Sequence, residues 1–265
     1  MPGNDKIDGG RKFDWNKTSE DYAKYRDIYP NEFYDILLSR GMCASGQRVL
    51  DVGTGTGVLP RALYRFGANF TGIDISENQI EQAKRLAAEN DMDIKFKRSS
   101  AENTGFADAS FDVITACQCF FYFDHDKFSR EADRLLEDGG RLAVLYMAWL
   151  PFEDRIADMS EELILKYNPS WSGRGETRRD IFIPEVYNRY FELEDTEMLD
   201  LRLPFTRETW NGRIKACRGT GASLSAEKLK AFEREHLKAL EDNAPEEFEI
   251  LHYAAAAILR KKPTR

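Results

Sequence analysis

Two spacings of apolar residues alternate along the first 150 residues of this chain. Arg48 to Val52, Phe70 to Ser76, Asp93 to Lys97, Asp112 to Ala116 and Arg141 to Met147 are dense in β-branched and large apolar residues or alternate with polar ones, and read as strands. Between them, Val58 to Phe66, the stretch after Ser76 with Ile80, Ala83 and Ala87 on one face, and Lys127 to Leu136 have helical spacing. Ser76 with Gln79 reads as a capping box, and Asp138-Gly139-Gly140 as a turn into the fifth strand. Upstream, Thr18 to Arg26 and Glu32 to Arg40 predict two short helices. Strand and helix taking turns predict an α/β fold with a doubly wound, mostly parallel sheet.

The regular alternation breaks at Trp149. From there to Ile183 the pattern is an acidic helix, about Glu153 to Tyr167, then a Pro/Ser/Gly/Arg stretch, longer than a simple crossover. It reads as a helical lid insertion. Beyond it, the sixth strand falls within Phe191 to Phe205, a helix over Thr206 to Arg218, a long amphipathic helix after Ser225 with Leu229, Phe232, Leu237 and Leu240, and a last strand over Glu249 to Leu259. Residues 1–12, charged and rich in glycine, are expected to be disordered, with 13–265 a single domain.

The first strand runs into Asp51-Val52-Gly53-Thr54-Gly55-Thr56-Gly57, a strand-to-helix turn in which glycines let a backbone approach a ligand. About one β-α-β unit later the second strand ends in Asp74, placed to accept hydrogen bonds from ribose hydroxyls. A dinucleotide fingerprint would want a further glycine where Val58 stands, so an NAD site is disfavoured.

With Asp74, Phe111 to Gln118, Phe123-Asp124-His125-Asp126, Arg134-Leu135-Leu136 and Gly139-Gly140, this turn resembles the class I S-adenosylmethionine-dependent methyltransferases over about Phe13 to Val144, in particular the small-molecule branch that includes trans-aconitate methyltransferases. The resemblance implies a Rossmann-like sheet with an antiparallel last strand and S-adenosyl-L-methionine as cofactor, leaving as S-adenosyl-L-homocysteine. It implies cofactor contacts from the turn (Asp51, Gly53, Thr54, Gly55, Gly57), from Asp74 to the ribose, from Ile75 and Gln79 at the next helix start, from Ser100, Ala101 and Glu102 to the adenine, and from Cys117 and Gln118. Helices over about 18–40 would cover the cofactor, with Tyr22 and Arg26 at its carboxylate; the alternative is that the tyrosine packs and the arginine is solvated. Phe121 and Tyr122 stand where relatives often show His-Trp, which removes the obvious general base and leaves an apolar wall. Within the lid, about 149–184, Trp149 and Trp171 are candidate acceptor contacts, and Arg174, Arg178 and Arg179 suit a carboxylate or phosphate unless they are a solvated basic loop. Of His125, His236 and His252, the first is best placed, yet no catalytic base is assigned.

Composition narrows the partners. A net charge of -8 opposes nucleic acid, and Cys43, Cys117, Cys119 and Cys217 lack zinc spacing or secreted-scaffold density, so no metal is expected and a reduced, cytoplasmic protein is. No apolar stretch reaches membrane-spanning length. The expectation is methyl transfer to a small-molecule acceptor by in-line displacement; the alternatives are a non-catalytic S-adenosylmethionine-binding regulatory or scaffold protein, and a protein or RNA methyltransferase, which the acidic charge disfavours in the case of RNA. Oligomeric state stays open.

Overall fold

β1 (Arg48–Val52) is an interior strand of a seven-stranded sheet, with four of its five residues buried. In the computed structural model, which describes residues 28–263 together with Ile7, Asp8, Gly10, Asp14, Lys17, Lys24 and Tyr25, the strand order is β3-β2-β1-β4-β5-β7-β6. β2 (Asn69–Asp74), β3 (Lys95–Arg98), β4 (Phe111–Cys117) and β5 (Leu136–Trp149) run parallel to β1, in registers such as Val52↔Ile73 and Val52↔Ala116. β7 (Glu247–Lys261) lies antiparallel between β5 and β6 (Phe191–Thr206), so the antiparallel last strand is as expected. Covered on both faces, β4 and β7 read as near-continuous apolar runs, and Ala254 to Ala257 of β7 are all buried.

Alternate strand residues divide between two cores. Val49, Val113, Leu145 and Ile258 face α1 (Asn31–Leu38), α2 (Val58–Leu63), α5 (Arg155–Tyr167), α6 (Arg207–Lys215) and α7 (Ala226–Asn243), meeting Phe33, Leu63, Ile164, Trp210 and Phe232. Leu50, Val52, Ile114 and Val144 face α4 (His125–Leu135) and the short helical turn Glu185–Arg189, meeting Phe128, Leu135 and Tyr187. α3 (Glu77–Ala88) buries Ile80, Ala83 and Ala87 beside β2 and β3.

Several local expectations are corrected. α2 stops at Leu63 and tightens into a 3-10 turn over Tyr64–Phe66, ended by Gly67 at φ 83°. The Asp138-Gly139-Gly140 turn is absorbed into β5 as an irregularity: the pairing with β4 slips between Phe111 and Val113, and Gly139 at φ 74° takes the left-handed backbone there. Only half of the Ser76 capping box forms, because Ser76 Oγ accepts from Gln79 N at 3.3 Å while the Gln79 side chain turns inward. A complete box forms instead at Thr206 and Thr209, opening α6. At the chain start Asp8 is buried rather than unstructured: Ser172 N donates to its Oδ1 at 2.8 Å, and Arg218 Nε lies 3.4 Å from Oδ2. The Thr18 to Arg26 helix falls outside the described residues except at Lys24 and Tyr25, which are helical.

The insertion after β5 is built by α5. Asp154 caps it through Ile156 N at 3.0 Å and Ala157 N at 3.1 Å, and its other oxygen accepts from Leu251 N of β7 at 2.9 Å. Ser160 then joins three helices: Trp210 Nε1 of α6 donates to its Oγ at 2.9 Å, and His236 Nε2 of α7 lies 2.9 Å away. Burial without a carboxylate partner pushes His236 from 6.5 down to about 4, so its ring is neutral at ordinary pH.

Candidate functional site

The carboxyl ends of the parallel strands lie on one edge of the sheet, where doubly wound folds hold their ligands. β1 leaves it through Gly53 (φ 62°), Gly55 (φ 56°) and Gly57 (φ 74°). The glycines at 53 and 57 are required first by the protein itself. A Cβ on Gly53 would lie 2.7 Å from Cys119 Cβ, and one on Gly57 would lie 2.7 Å from the Phe96 ring. Gly55 has a different task, donating its N–H to Asp74 Oδ2 at 3.0 Å, while Ser76 N donates to Oδ1 at 2.8 Å. Both oxygens of Asp74 are thereby aimed by backbone, and burial raises this carboxyl above its ordinary value despite those bonds.

Asp51 lies behind the turn, 2 % exposed, accepting from Thr115 Oγ1 at 2.6 Å. Burial raises it from 3.8 to about 6; the hydrogen bond from Thr115 opposes the rise, and the nearby Asp74 charge adds to it. Thr54 N is tied to Ile73 O at 2.9 Å. Three buried polar atoms in and near the turn, Thr54 Oγ1, Thr56 Oγ1 and Gln79 Oε1, have no hydrogen-bond partner, and Ile75 beside Asp74 is 65 % exposed.

At the β3 end, Ser100 Oγ donates to Glu102, whose Oε1 accepts from Asp124 N at 3.1 Å, and Ala101 is buried. At the β4 end, Gln118 has φ 66°; its N–H goes to Leu145 O at 2.9 Å and its Nε2 to Met147 O at 2.6 Å, so this buried-edge amide is held by backbone. Cys117 is half-buried at the close of β4. Cys119 donates its thiol to Val52 O at 3.0 Å, and burial lifts that thiol well above its ordinary value.

The aromatic run divides. Phe120 is buried and Phe123 packs at a tilt against Phe128, centroids 4.7 Å apart, whereas Phe121 and Tyr122 are half-buried at the edge. Phe121 meets Tyr146 of β5 edge-to-face, centroids 5.1 Å apart. His125 Nδ1 lies 3.1 Å from the Tyr187 hydroxyl, and burial lowers its pKa.

The lid expectations need correction. Trp149 and Trp171 are closed into the core beneath the cap: Trp149 Nε1 donates to Glu161 at 2.7 Å and its ring meets Trp210 at 5.5 Å, while the Trp171 ring packs over Gly173 and Gly219. The arginines lie partly in solvent and are ion-paired: Arg174 with Asp158 at 3.2 Å, Arg178 with Asp200 at 2.7 Å and Arg179 with Glu176 at 3.0 Å. An insertion rich in its own acids neutralises its own cations. Tyr22 and Arg26 lie outside the described residues. Tyr146, Glu176 and Tyr253 are not singled out by the sequence, and Cys119 enters there only as a rejected metal ligand. Tyr146 had a signal, its place at the end of the fifth strand; Glu176 had none. Among the described residues no group of three or more His, Cys, Asp or Glu is arranged to hold a metal, and no helix is long and apolar enough to cross a membrane.

A family model described as a methyltransferase domain matches residues 50–144. The uncharacterized methyltransferase YcgJ of Bacillus subtilis is 29% identical over 133 residues, 49% of this chain and 53% of its own length. The ubiquinone biosynthesis O-methyltransferase of Brucella ovis is 29% identical over 157 residues, 58% of this chain and 62% of its own. The matches thus span about half to three-fifths of these relatives. In fold, YcgJ superposes with a TM-score of 0.53 at 21% identity over 89% of this chain and 100% of its own. The [4+2]-cyclase SpnF does so with 0.53 at 21% over 88% and 81%. Over residues 50–144, therefore, the chain matches the model of a methyltransferase domain, and its fold is that of these neighbours.

Proposed function

We propose that this protein transfers a methyl group from S-adenosyl-L-methionine to a small-molecule acceptor by in-line displacement. The observation that carries the reading is Asp74, whose oxygens are both fixed by N–H groups of the glycine turn and the next helix start, next to the orphaned Gln79 Oε1. A half-buried carboxylate held in this way retains lone pairs for the two hydroxyls of a ribose. Two acids at this edge, buried Asp51 and half-buried Asp74, both raised by desolvation, suit a ligand that brings positive charge.

On this reading Asp51, Gly53, Thr54, Gly55 and Gly57 hold the amino-acid end, Asp74 the ribose, and Ile75, Gln79, Ser100, Ala101 and Glu102 the adenine. Cys117 and Gln118 line the β4 end, and Phe121 and Tyr122 wall the acceptor side. When bound, the cofactor supplies an already activated methyl group. The protein's part is then position and dryness. The aromatic wall excludes water, and Gln118, pinned by two backbone carbonyls, fixes the floor between β4 and β5. We assign no general base, because His125 is engaged with Tyr187.

A small acceptor fits the helical insertion over the β5 end and the acidic charge, which also disfavours nucleic acid. The four free cysteines fit a reducing, cytoplasmic setting. The rival reading, a nucleotide-binding scaffold, has the same turn, and the likeness to SpnF shows that this fold carries reactions other than methylation. Turnover against acceptors separates them.

Calorimetric titration with S-adenosylhomocysteine tests the cofactor assignment. Binding by the wild type that weakens about 10- to 100-fold in Asp74→Ala, the loss expected of charge-assisted hydrogen bonds, supports it. No binding by folded wild type overturns it.

A further inference from the structure

A cluster outside the glycine turn ties the loop after α5 to the sheet. Tyr253 of β7 donates its hydroxyl to Glu176 Oε1 at 2.8 Å, and Tyr146 of β5 donates to Oε2 at 3.0 Å. Arg179 completes the set, with Nε 3.0 Å from Oε1 and Nη2 donating to Oε2 at 3.2 Å. Each oxygen of the carboxylate has two partners, which fills its capacity.

This arrangement decides what the two phenols can still do. A tyrosine hydroxyl has one hydrogen, and here both hydrogens are committed to Glu176, so only lone pairs remain. Tyr253 is fully buried. Tyr146 is half-buried and stands edge-to-face with Phe121, on the short turn that follows β4. That turn is anchored to the end of β1 by the Cys119 thiol on Val52 O, so Tyr146 flanks the glycine turn from the acceptor side. It presents a hydrogen-bond acceptor there and no donor. Arg179 cancels the charge of Glu176, so the seat favours neither a cation nor an anion.

We propose that Tyr146 is a specificity-determining residue that accepts a hydrogen bond from an uncharged hydroxyl on an aromatic acceptor, with Glu176 as the positioning residue that fixes its polarity. The assignment rests on the methyltransferase reading, and it names the acceptor class of that site. A phenol has the hydrogen that Tyr146 lacks and a flat ring for the Phe121–Tyr146 corner. A carboxylate has no hydrogen to give.

The test is ligand-observed NMR titration of phenol, benzoate and benzylamine, with and without S-adenosylhomocysteine. Wild type is expected to bind phenol several-fold more tightly than the other two. Tyr146→Phe keeps the ring on Phe121 and is expected to lose that preference, by about three- to tenfold for one hydrogen bond. Glu176→Gln, which can donate to the Tyr146 oxygen and so release its hydrogen, is expected to raise benzoate binding relative to phenol. Phenol bound no better than benzoate by wild type, or equally well by Tyr146→Phe, overturns the assignment even where S-adenosylhomocysteine binds. A Tyr146-dependent phenol preference without S-adenosylhomocysteine binding overturns the methyltransferase reading and leaves the seat standing.

Discussion

Asp51→Asn is expected to stabilise the ligand-free protein at high pH and to leave it unchanged in acid. Burial raises Asp51 from 3.8 to about 6, so between those values the native state binds a proton that the unfolded chain has released. Stability therefore falls as pH rises through this window, and above it the full cost of an ionised buried carboxylate is present. The rise corresponds to about 3 kcal/mol, set against a total of about 5–15 kcal/mol for an ordinary domain. Asn keeps the shape and an oxygen for Thr115 Oγ1, so the substitution removes the charge and little else. Urea unfolding of both proteins at about pH 8 and about pH 4 measures the difference. His236 acts in the opposite direction over an overlapping range, so the informative quantity is wild type against variant at each pH, not either curve alone. A gain of up to about 3 kcal/mol at the higher pH that vanishes at the lower one is expected. A difference that does not change with pH refutes the reasoning. The same variant should bind S-adenosylhomocysteine more weakly, since an acid kept at a cost to stability marks a site that uses its charge.

His236, lowered to about 4, stays neutral in the fold while the unfolded chain protonates, so it withdraws stability as pH falls below about 6.5. His236→Gln should flatten the acid limb of the unfolding curve, and an unchanged limb would refute its role. Gly53→Ala combines φ 62° with a Cβ 2.7 Å from Cys119 Cβ, and should cost about 2–4 kcal/mol and lower S-adenosylhomocysteine affinity. Gly139→Ala has φ 74° but nothing within 4 Å, so about 1–2 kcal/mol and unchanged affinity are expected. Equal losses of stability and affinity in the two variants would remove the distinction between strain and packing.

What the sequence determined by itself was local. The apolar run of β1, the glycine turn, Asp74 at the end of β2 and the Ser76 cap each depend on near neighbours, and each is where the pattern placed it. The tertiary structure decided which polar groups remain available. It spent the cap arginines on carboxylates, closed Trp149 and Trp171 into the core, turned Gln79 inward, and gave Gly53 and Gly57 a packing reason to be glycine. It also made contacts that periodicity does not encode: Asp8 with Ser172, 164 positions apart, and Glu176 with Tyr253, 77 apart. Secondary structure follows from spacing over a turn or a strand, which a single sequence displays. Whether a charged side chain meets a partner or faces a ligand depends on chain segments brought together by the packing of the whole sheet and its cap.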